Sequence, residues 1–585
     1  MKRHWLAMAV SICALALAPG TALAGESGGG GQEVQQAQTA GNENSTEQSA
    51  SSEASSQQAN VNVPIAVNSP YSNNGDVNQS NGAENNARSA NYNETEQGSR
   101  QNQGGAATDV SVSGGSDPSW KGNGGQEVSQ SQSASNSNET SQSAESEASS
   151  EQLNVNVPIA VNSPYSNNGD VDQSNGAENN ASSANYNSTE QENQQNQGGA
   201  ATGVTSNDGG SSDGGNGGQQ VDQSQSASNS NSTSQSAESE AESEQTNVNV
   251  PIPVNSPGSN NGEVNQSNNA ENNASSANHN STEQENQQNQ GAAATGVSVS
   301  RGGDPSGGNG GQEVEQTQSA NNENSTDQSA SSEASSRQAN VNVPIAVNSP
   351  YSNNGDVSQS NNAENNAYSA NHNSTEQQNW QNQGAAATGV SVSGGGDSSC
   401  CGYESGKGNG GQQVDQSQSA SNSNSTSQSA ESEAESEQAN VNVPIAVNSP
   451  GSNNGDVNQS NNAENNAYSA NHNHTDQSNG QNQGGAATGV SVSRGDDPPG
   501  GNGGQQVDQS QSASNSNSTS QSAESEAESE QENVNVPIAV NSPCSNNGDV
   551  DQSNDAENNA YSANHNETDQ DNWQDQGGAA TARTS

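Results

Sequence analysis

The chain has 585 residues, of which 24% are hydrophobic and 2% aromatic, with no phenylalanine. Its formal net charge is −57, from 10 basic and 67 acidic residues, which excludes the basic stripe that nucleic-acid binding needs. Composition of this kind sits with low-complexity or disordered chains, and only the order of the residues argues for anything else.

The first residues read as an export signal. Lys2, Arg3 and His4 precede the mostly apolar stretch 5–18, and Ala22-Leu23-Ala24 forms a small-residue cleavage site before Gly25. The expectation is a signal peptide over 1–24 and a protein that is secreted or held at the cell surface. Loss of Lys2 and Arg3 leaves 8 basic against 67 acidic residues, a net −59. No later stretch is long and apolar enough to predict a stable membrane span.

A unit opening Gly-Gly-Gln-(Glu/Gln)-Val then recurs, with its valines at Val34, Val128, Val221, Val314, Val414 and Val507. The intervals are 94, 93, 93, 100 and 93, the long one carrying the insertion that includes Cys400, Cys401 and Tyr403. Six repeats follow, over 25–120, 121–213, 214–306, 307–406, 407–499 and 500–585, joined by Gly-rich segments that read as turns or flexible joints.

Within a repeat the side chains alternate with period two. From Val414 one parity reads Gln416, Gln418, Ala420, Asn422, Asn424, Thr426 and Gln428, while the other reads serine at every odd position from Ser417 to Ser429 and then Glu431 to Glu437. Successive strand residues point to opposite faces, so this predicts strand with a Gln/Asn/Ala face and a Ser/Glu face. The series from Val457 to Gln483 alternates alike, making each repeat two related halves of roughly 45 residues.

Comparing the six copies separates the faces. The Gln/Asn/Ala parity is constant in the first half, and in the second only Ser99 departs, where the others have Asn193, Asn286, Asn379, Asn479 and Asn572. The other parity drifts: Arg88, Ser182, Ser275, Tyr368, Tyr468 and Tyr561 share one slot. The constant face is expected to be buried and the drifting face to meet solvent.

A few valines and one isoleucine per copy cannot offset the entropy of ordering about 90 residues. Backbone and amide hydrogen bonds can, if nearly all are made, and stacked identical rungs make them because Asn and Gln pair with the same residue above and below. The expected fold is therefore an all-β repeat, a β-solenoid or cross-β stack with Asn/Gln ladders. The alternative is a largely disordered chain. A straight strand of roughly 28 residues exceeds normal strand length, so the coil is expected to bend within the alternation at Ser, Asn and Gly.

One apolar island, Val441-Asn442-Val443-Pro444-Ile445-Ala446-Val447, recurs in each copy, with Pro253 in place of the alanine in the third. Its Val and Ile lie on the Ser/Glu parity, so it either pairs with its counterparts or neighbours, or forms a local core strand. Pro444 favours an edge or a bulge.

Sites for chemistry are sparse. The segment 170–178 has a calcium-loop flavour, but its glycine falls one place late and its Glu178 too early for EF-hand spacing. Weak, non-specific Ca²⁺ association with the acidic rows is the expectation. His279, His372, His472 and His565 share a slot with Tyr92 and Tyr186, which argues against a required ligand. His472 and His474 lie two apart on one strand face and read as solvated surface. Cys400, Cys401 and Cys544 make no disulfide framework or metal spacing, though an intermolecular bridge is open to them. No nucleophile–base constellation or phosphate loop stands out, so no enzyme, cofactor or metal site is expected.

The Gln/Asn/Ser/Ala alternation resembles curlin-type repeats, whose inward Ser, Gln and Asn stack in functional amyloid fibres. Cys400-Cys401-Gly402 and Val443-Pro444 look like features of secreted Asn/Gln/Ser-rich repeat proteins of actinobacteria. The likeness covers most of the chain, but the unit here is about twice the curlin repeat or more and the regular curlin glycine is missing. It implies a fibre-forming or surface-coat role. The functional expectation is a structural protein of the bacterial cell surface or extracellular matrix, partnered by itself or by other surface proteins. The alternatives are an ice-, polysaccharide- or cation-binding surface module, and a disordered hydrated acidic polymer.

Overall fold

Period-two alternation becomes unbroken strand. The computed structural model describes residues 32–114, 125–208, 218–301, 310–394, 410–494, 504–546 and 548–584. The signal segment, the Gly-rich joints, Cys400 and Cys401 lie outside them.

Each repeat contributes one coil of three strands. The outbound strands are β1 (Gln32–Asn62), β4 (Gln126–Asn156), β7 (Gln219–Asn249), β10 (Gln312–Asn342), β13 (Gln412–Asn442) and β16 (Gln505–Asn535). A three-residue strand follows each: β2 (Ile65–Val67), β5 (Ile159–Val161), β8 (Ile252–Val254), β11 (Ile345–Val347), β14 (Ile445–Val447) and β17 (Ile538–Val540). The return strands are β3 (Val77–Gly114), β6 (Val171–Asp208), β9 (Val264–Arg301), β12 (Val357–Gly394), β15 (Val457–Arg494) and β18 (Val550–Thr584). Equivalent strands stack in chain order into three parallel six-stranded sheets. Pairing is in register slot by slot, Val34 on Val128 and Val357 on Val457. This is a β-solenoid of one coil per repeat, and the two related halves of a repeat are its two facing long sheets.

The expected bends are absent. Outbound strands run 31 residues and return strands up to 38 without interruption. Strands in ordinary globules stop where the core ends and the partner runs out. Here every residue of an interior coil has its own equivalent above and below, so nothing along the strand ends the pairing. The chain turns where the pattern changes, at Val-Pro and at Asn-Ser-Pro. In that second turn Asn448 has φ 49° and Gly451 has φ 73°. The slot of Gly451 holds Tyr71, Tyr165, Gly258, Tyr351 and Cys544 in the other copies, each in the same left-handed region that glycine adopts without cost.

The constant parity is the core. Gln416, Asn422, Gln428, Asn461, Asn473 and Gln477 are each at most 3% exposed. Interior Gln and Asn use their two amide hydrogens in two directions. Gln428 Nε2 donates along the stack to Gln328 Oε1 at 2.8 Å and across to the backbone oxygen of His472 at 3.1 Å. Asn424 Nδ2 donates to Asn517 Oδ1 at 2.8 Å and to Thr475 Oγ1 at 3.1 Å. The core is thus a layer of amide ladders that also clips the two long sheets together. Columns of alanine such as Ala148, Ala241, Ala334 and Ala434, and of valine such as Val171, Val264, Val357 and Val457, fill the space between ladders. Burying so many amides is tolerable because they are bonded. Among the described residues only Ser72 Oγ, Asn193 Oδ1, Asp415 Oδ1 and His472 Nδ1 are buried side-chain polar atoms with no partner.

The apolar island pairs with its counterparts, Ile345 on Ile445 and Val347 on Val447. It is not a core strand. Ala346 and Ala446 point inward and are buried, while the Val and Ile columns face outward, reaching 65% exposure at Val61 in the end coil. The parity flip seen in sequence is real: inward slots stay with Asn, Pro and Ala, so the branched residues are left outside. Pro344 sits at the break before β11, where its oxygen accepts from the N–H of Ile445.

Candidate functional site

Extended strand decides the fate of the calcium-like segment. From Val171 to Glu178 it runs along β6, so its side chains alternate between faces and cannot wrap an ion. Asp170 serves the turn: its Oδ1 accepts the N–H of Glu263 at 3.0 Å, and its own N–H donates to Asp76 Oδ1 at 3.1 Å. Among the described residues no group of three or more His, Cys, Asp or Glu is placed to hold a metal.

Parallel in-register stacking brings the shared histidine slot into one column. His279, His372 and His472 stack with ring centroids 4.8 Å apart, and His565 follows at 4.9 Å. Burial, and then the neighbouring imidazoles, push the pKa of His372 down to about 4. Burial lowers His279 likewise, and lowers His472 together with His565 and His474 against the opposing pull of Glu567. With their pKa values lowered, the rings of His279, His372 and His472 are neutral stacking units near pH 7. His474 lies beside them, with Nδ1 3.6 Å from a carboxylate oxygen of Glu567.

Two further aromatic stacks were not foreseen from the sequence, although the slot of Tyr368 was aligned there. Tyr368, Tyr468 and Tyr561 stack at 4.9 and 5.1 Å, and Tyr71 stacks on Tyr165 at 5.4 Å. An acidic column also emerges. Glu53, Glu147, Glu240, Glu333, Glu433 and Glu526 lie one above another in register, the one outward slot between Ser and Glu that is acidic in all six copies of this strand segment. Burial and then neighbouring glutamates raise the pKa of Glu240, Glu333 and Glu433.

No family model, curated protein or solved structure matches the chain. The functional surfaces must therefore be read from geometry alone. A groove of about 880 Å³ follows the stack where the outbound strands begin, lined by repeated Gly, Gln and Glu such as Gly311, Gln312 and Glu313. Burial, then Asp222, Asp415 and Glu315, raise the pKa of Glu313 there. Among the described residues its lining holds no histidine, serine or cysteine that would act as a nucleophile or base beside those acids. Cys544 is a free, exposed thiol at the turn before β18. No helix among the described residues is long and apolar enough to cross a membrane.

What remains chemically distinctive is at the two ends of the stack. Among the described residues β1 and β3 are unpaired on one side, β16 and β18 on the other. Their backbone N–H and C=O groups and the last amides of every ladder face outward along the stacking axis.

Proposed function

We propose that this chain is a secreted structural protein of the bacterial cell surface or extracellular matrix, built to be rigid and not to catalyse. One observation carries the reading: the parity held constant through six copies, Ser99 excepted, is the parity that forms the amide-ladder core, while most slots of the solvent parity drift. A protein whose work lay in the groove would hold its lining fixed, yet the slot of Glu313 holds Gln220, Gln413 and Gln506 in other copies. The leader-like first 24 residues and the net negative charge of the remaining chain suit export and a hydrated surface.

The test combines location with form. Cell fractionation of the producing bacterium with an antibody against the repeat is expected to find the chain outside the membrane, shortened at its N-terminus. The isolated protein is expected to give a β-type far-UV circular dichroism spectrum and a reflection near about 4.7 Å. Retention inside the cell, or a random-coil spectrum at every concentration, overturns the reading.

A further inference from the structure

The six coils form a plate that is wider than it is tall. A strand of 31 residues spans roughly 100 Å at the usual rise, while six rungs stack to only about 30 Å. Each end of the stack therefore exposes a large share of the molecule as open sheet edge. β1, β3, β16 and β18 contain no proline and no lysine to blunt these edges.

The two ends are chemically complementary. Core Asn ladders donate toward the later coil, as in Asn42 to Asn136 at 2.9 Å and Asn422 to Asn515 at 3.1 Å. Core Gln ladders donate toward the earlier coil, as in Gln130 to Gln36 at 2.9 Å and Gln509 to Gln416 at 2.8 Å. The last coil thus offers Asn donors and Gln acceptors, and the first offers Asn acceptors and Gln donors, slot for slot except where Asn572 would meet Ser99.

The outward slots agree. With Val507 placed over Val34 and Val550 over Val77, the last and first copies align without insertion. Trp573 then meets Arg100, and Tyr561 meets Arg88. These two arginines are the only cations within the length of any return strand, since Arg301, Arg494 and Arg583 lie at strand ends. Trp573 and Tyr561 are 52% and 57% exposed. Rings in this fold lean toward the later coil: a Cβ added at Gly480 would meet the Trp380 ring at 2.4 Å, and one at Gly451 the Tyr351 ring at 2.9 Å. The same lean lays Trp573 over the next molecule's Arg100, whose diagonal neighbours are then Asp571 and Asp575. Arg337 reaching Glu437 of the following coil at 2.7 Å shows that arginine makes such rung-to-rung contacts here.

Like-charge stacking is also relieved at this junction in the outbound sheet, while in the return sheet Glu557, Glu567 and Asp569 still meet Glu84, Glu94 and Glu96. Inside the chain Glu431, Glu433, Glu435 and Glu437 lie under Glu524, Glu526, Glu528 and Glu530. Across the junction those last four meet Ser51, Glu53, Ser55 and Gln57, a single acid against four.

We propose that the last coil of one molecule stacks on the first coil of the next, in this register, so that copies of this chain polymerise head to tail into a continuous amide-laddered filament. The proposal rests on the structural reading above and names its partner: a second copy. The contact is heterologous and does not consume its own free ends, so growth is open-ended. An edge-to-edge contact with roughly 60 backbone hydrogen bonds is well beyond the standard protein interface.

The register places Cys544 over Tyr71 of the next molecule, at the strand spacing that suits a disulfide. The test uses the full chain with Cys13→Ser, Cys400→Ser, Cys401→Ser and Tyr71→Cys under mild oxidation. A ladder of reducible multimers is expected, and it disappears when Cys544→Ser is added. Dimers alone, or dimers that persist with Cys544→Ser, mean first-coil pairing on itself and overturn the proposal, as does monomer at every concentration. In the unaltered chain, Arg88→Glu with Arg100→Glu is expected to raise the critical concentration for filaments at least tenfold with an unchanged circular dichroism spectrum; an unchanged critical concentration overturns the register. A chain found at the cell surface but monomeric would sink this proposal and leave the structural role standing, whereas a chain retained in the cytoplasm would sink that role first.

Discussion

Ser99 lies directly beneath Asn193 in the return sheet, and Asn193 Oδ1 is a buried acceptor with no donor. In the other coils this slot is a ladder, with Asn193 donating to Asn286 at 3.1 Å and Asn286 to Asn379 at 2.9 Å. Serine is too short to reach. Its hydroxyl turns to Asn136 at 3.4 Å instead and accepts from Asn42 at 3.3 Å. Ser99→Asn is expected to complete the ladder and stabilise the first coil by about 1–3 kcal/mol, the cost of an unsatisfied buried acceptor. Hydrogen exchange at β3 and the denaturation midpoint check it: slower exchange is expected, and no change would mean that water already serves Asn193.

The strand assignment, the identity of the buried face and even this one irregular slot were legible in the sequence, because period two and a six-fold internal comparison report burial directly. Strand length was not. Length is set by where pairing partners end, and in Val414 to Asn442 no residue marks an end because each has its equivalent in register above and below. The His372–His472 and Tyr368–Tyr468 columns were equally hidden. A slot shared between copies becomes a contact only when one repeat makes one coil, and the coil count was the quantity that alternation could not supply.

The histidine column sets a pH dependence. His279, His372 and His472 are held below their unfolded value of 6.5, His372 at about 4. The unfolded chain then binds more protons between those limits, so their contribution is complete above pH 6.5 and is lost as pH falls toward about 4. Glu283 and Glu285 act with the opposite sign: burial and then neighbouring glutamates raise them above 4.5, so the fold gains as they protonate. Replacing the three histidines with Gln is expected to remove the acid-side loss and leave stability flat or rising between pH 6.5 and 4.5, read as melting temperature against pH. An identical profile in the variant would mean the column stays solvated in both states.

The Glu53-to-Glu526 column predicts how salt acts. Carboxylates directly opposite on adjacent parallel strands repel, and the rise in Glu333 from burial and then Glu240 and Glu433 reflects it. Glu333→Gln is expected to stabilise by a few tenths of a kcal/mol per relieved pair, about the size of an exposed charge interaction. Sodium chloride is expected to raise the melting temperature by screening the same repulsion. Calcium and magnesium are expected to act equally and more strongly than sodium, since no group of three ligands is assembled among the described residues. A melting shift with millimolar calcium that magnesium does not reproduce would reveal a built calcium site.

Gly489 sits where the return strand packs directly against a glutamine ladder of the outbound sheet. A Cβ there would lie 2.6 Å from both Gln412 Oε1 and Gln505 Nε2, inside the ladder that joins those two residues at 2.8 Å. Gly203, Gly296 and Gly389 fill the same slot against their own pairs of ladder glutamines. Gly484, five residues earlier on the outward parity, has open space around it. Gly489→Val is expected to force the glutamines apart and cost about 1–3 kcal/mol, the usual range for overpacking a filled interior. Gly484→Ala is expected to be neutral or to stabilise by up to about 1 kcal/mol, because glycine inside a strand loses more freedom on folding than alanine does. Limited proteolysis of the two variants separates the effects. Accelerated cleavage near the start of β13 and β16 is expected for Gly489→Val alone, and equal resistance in both would show that the Gln ladder yields without cost.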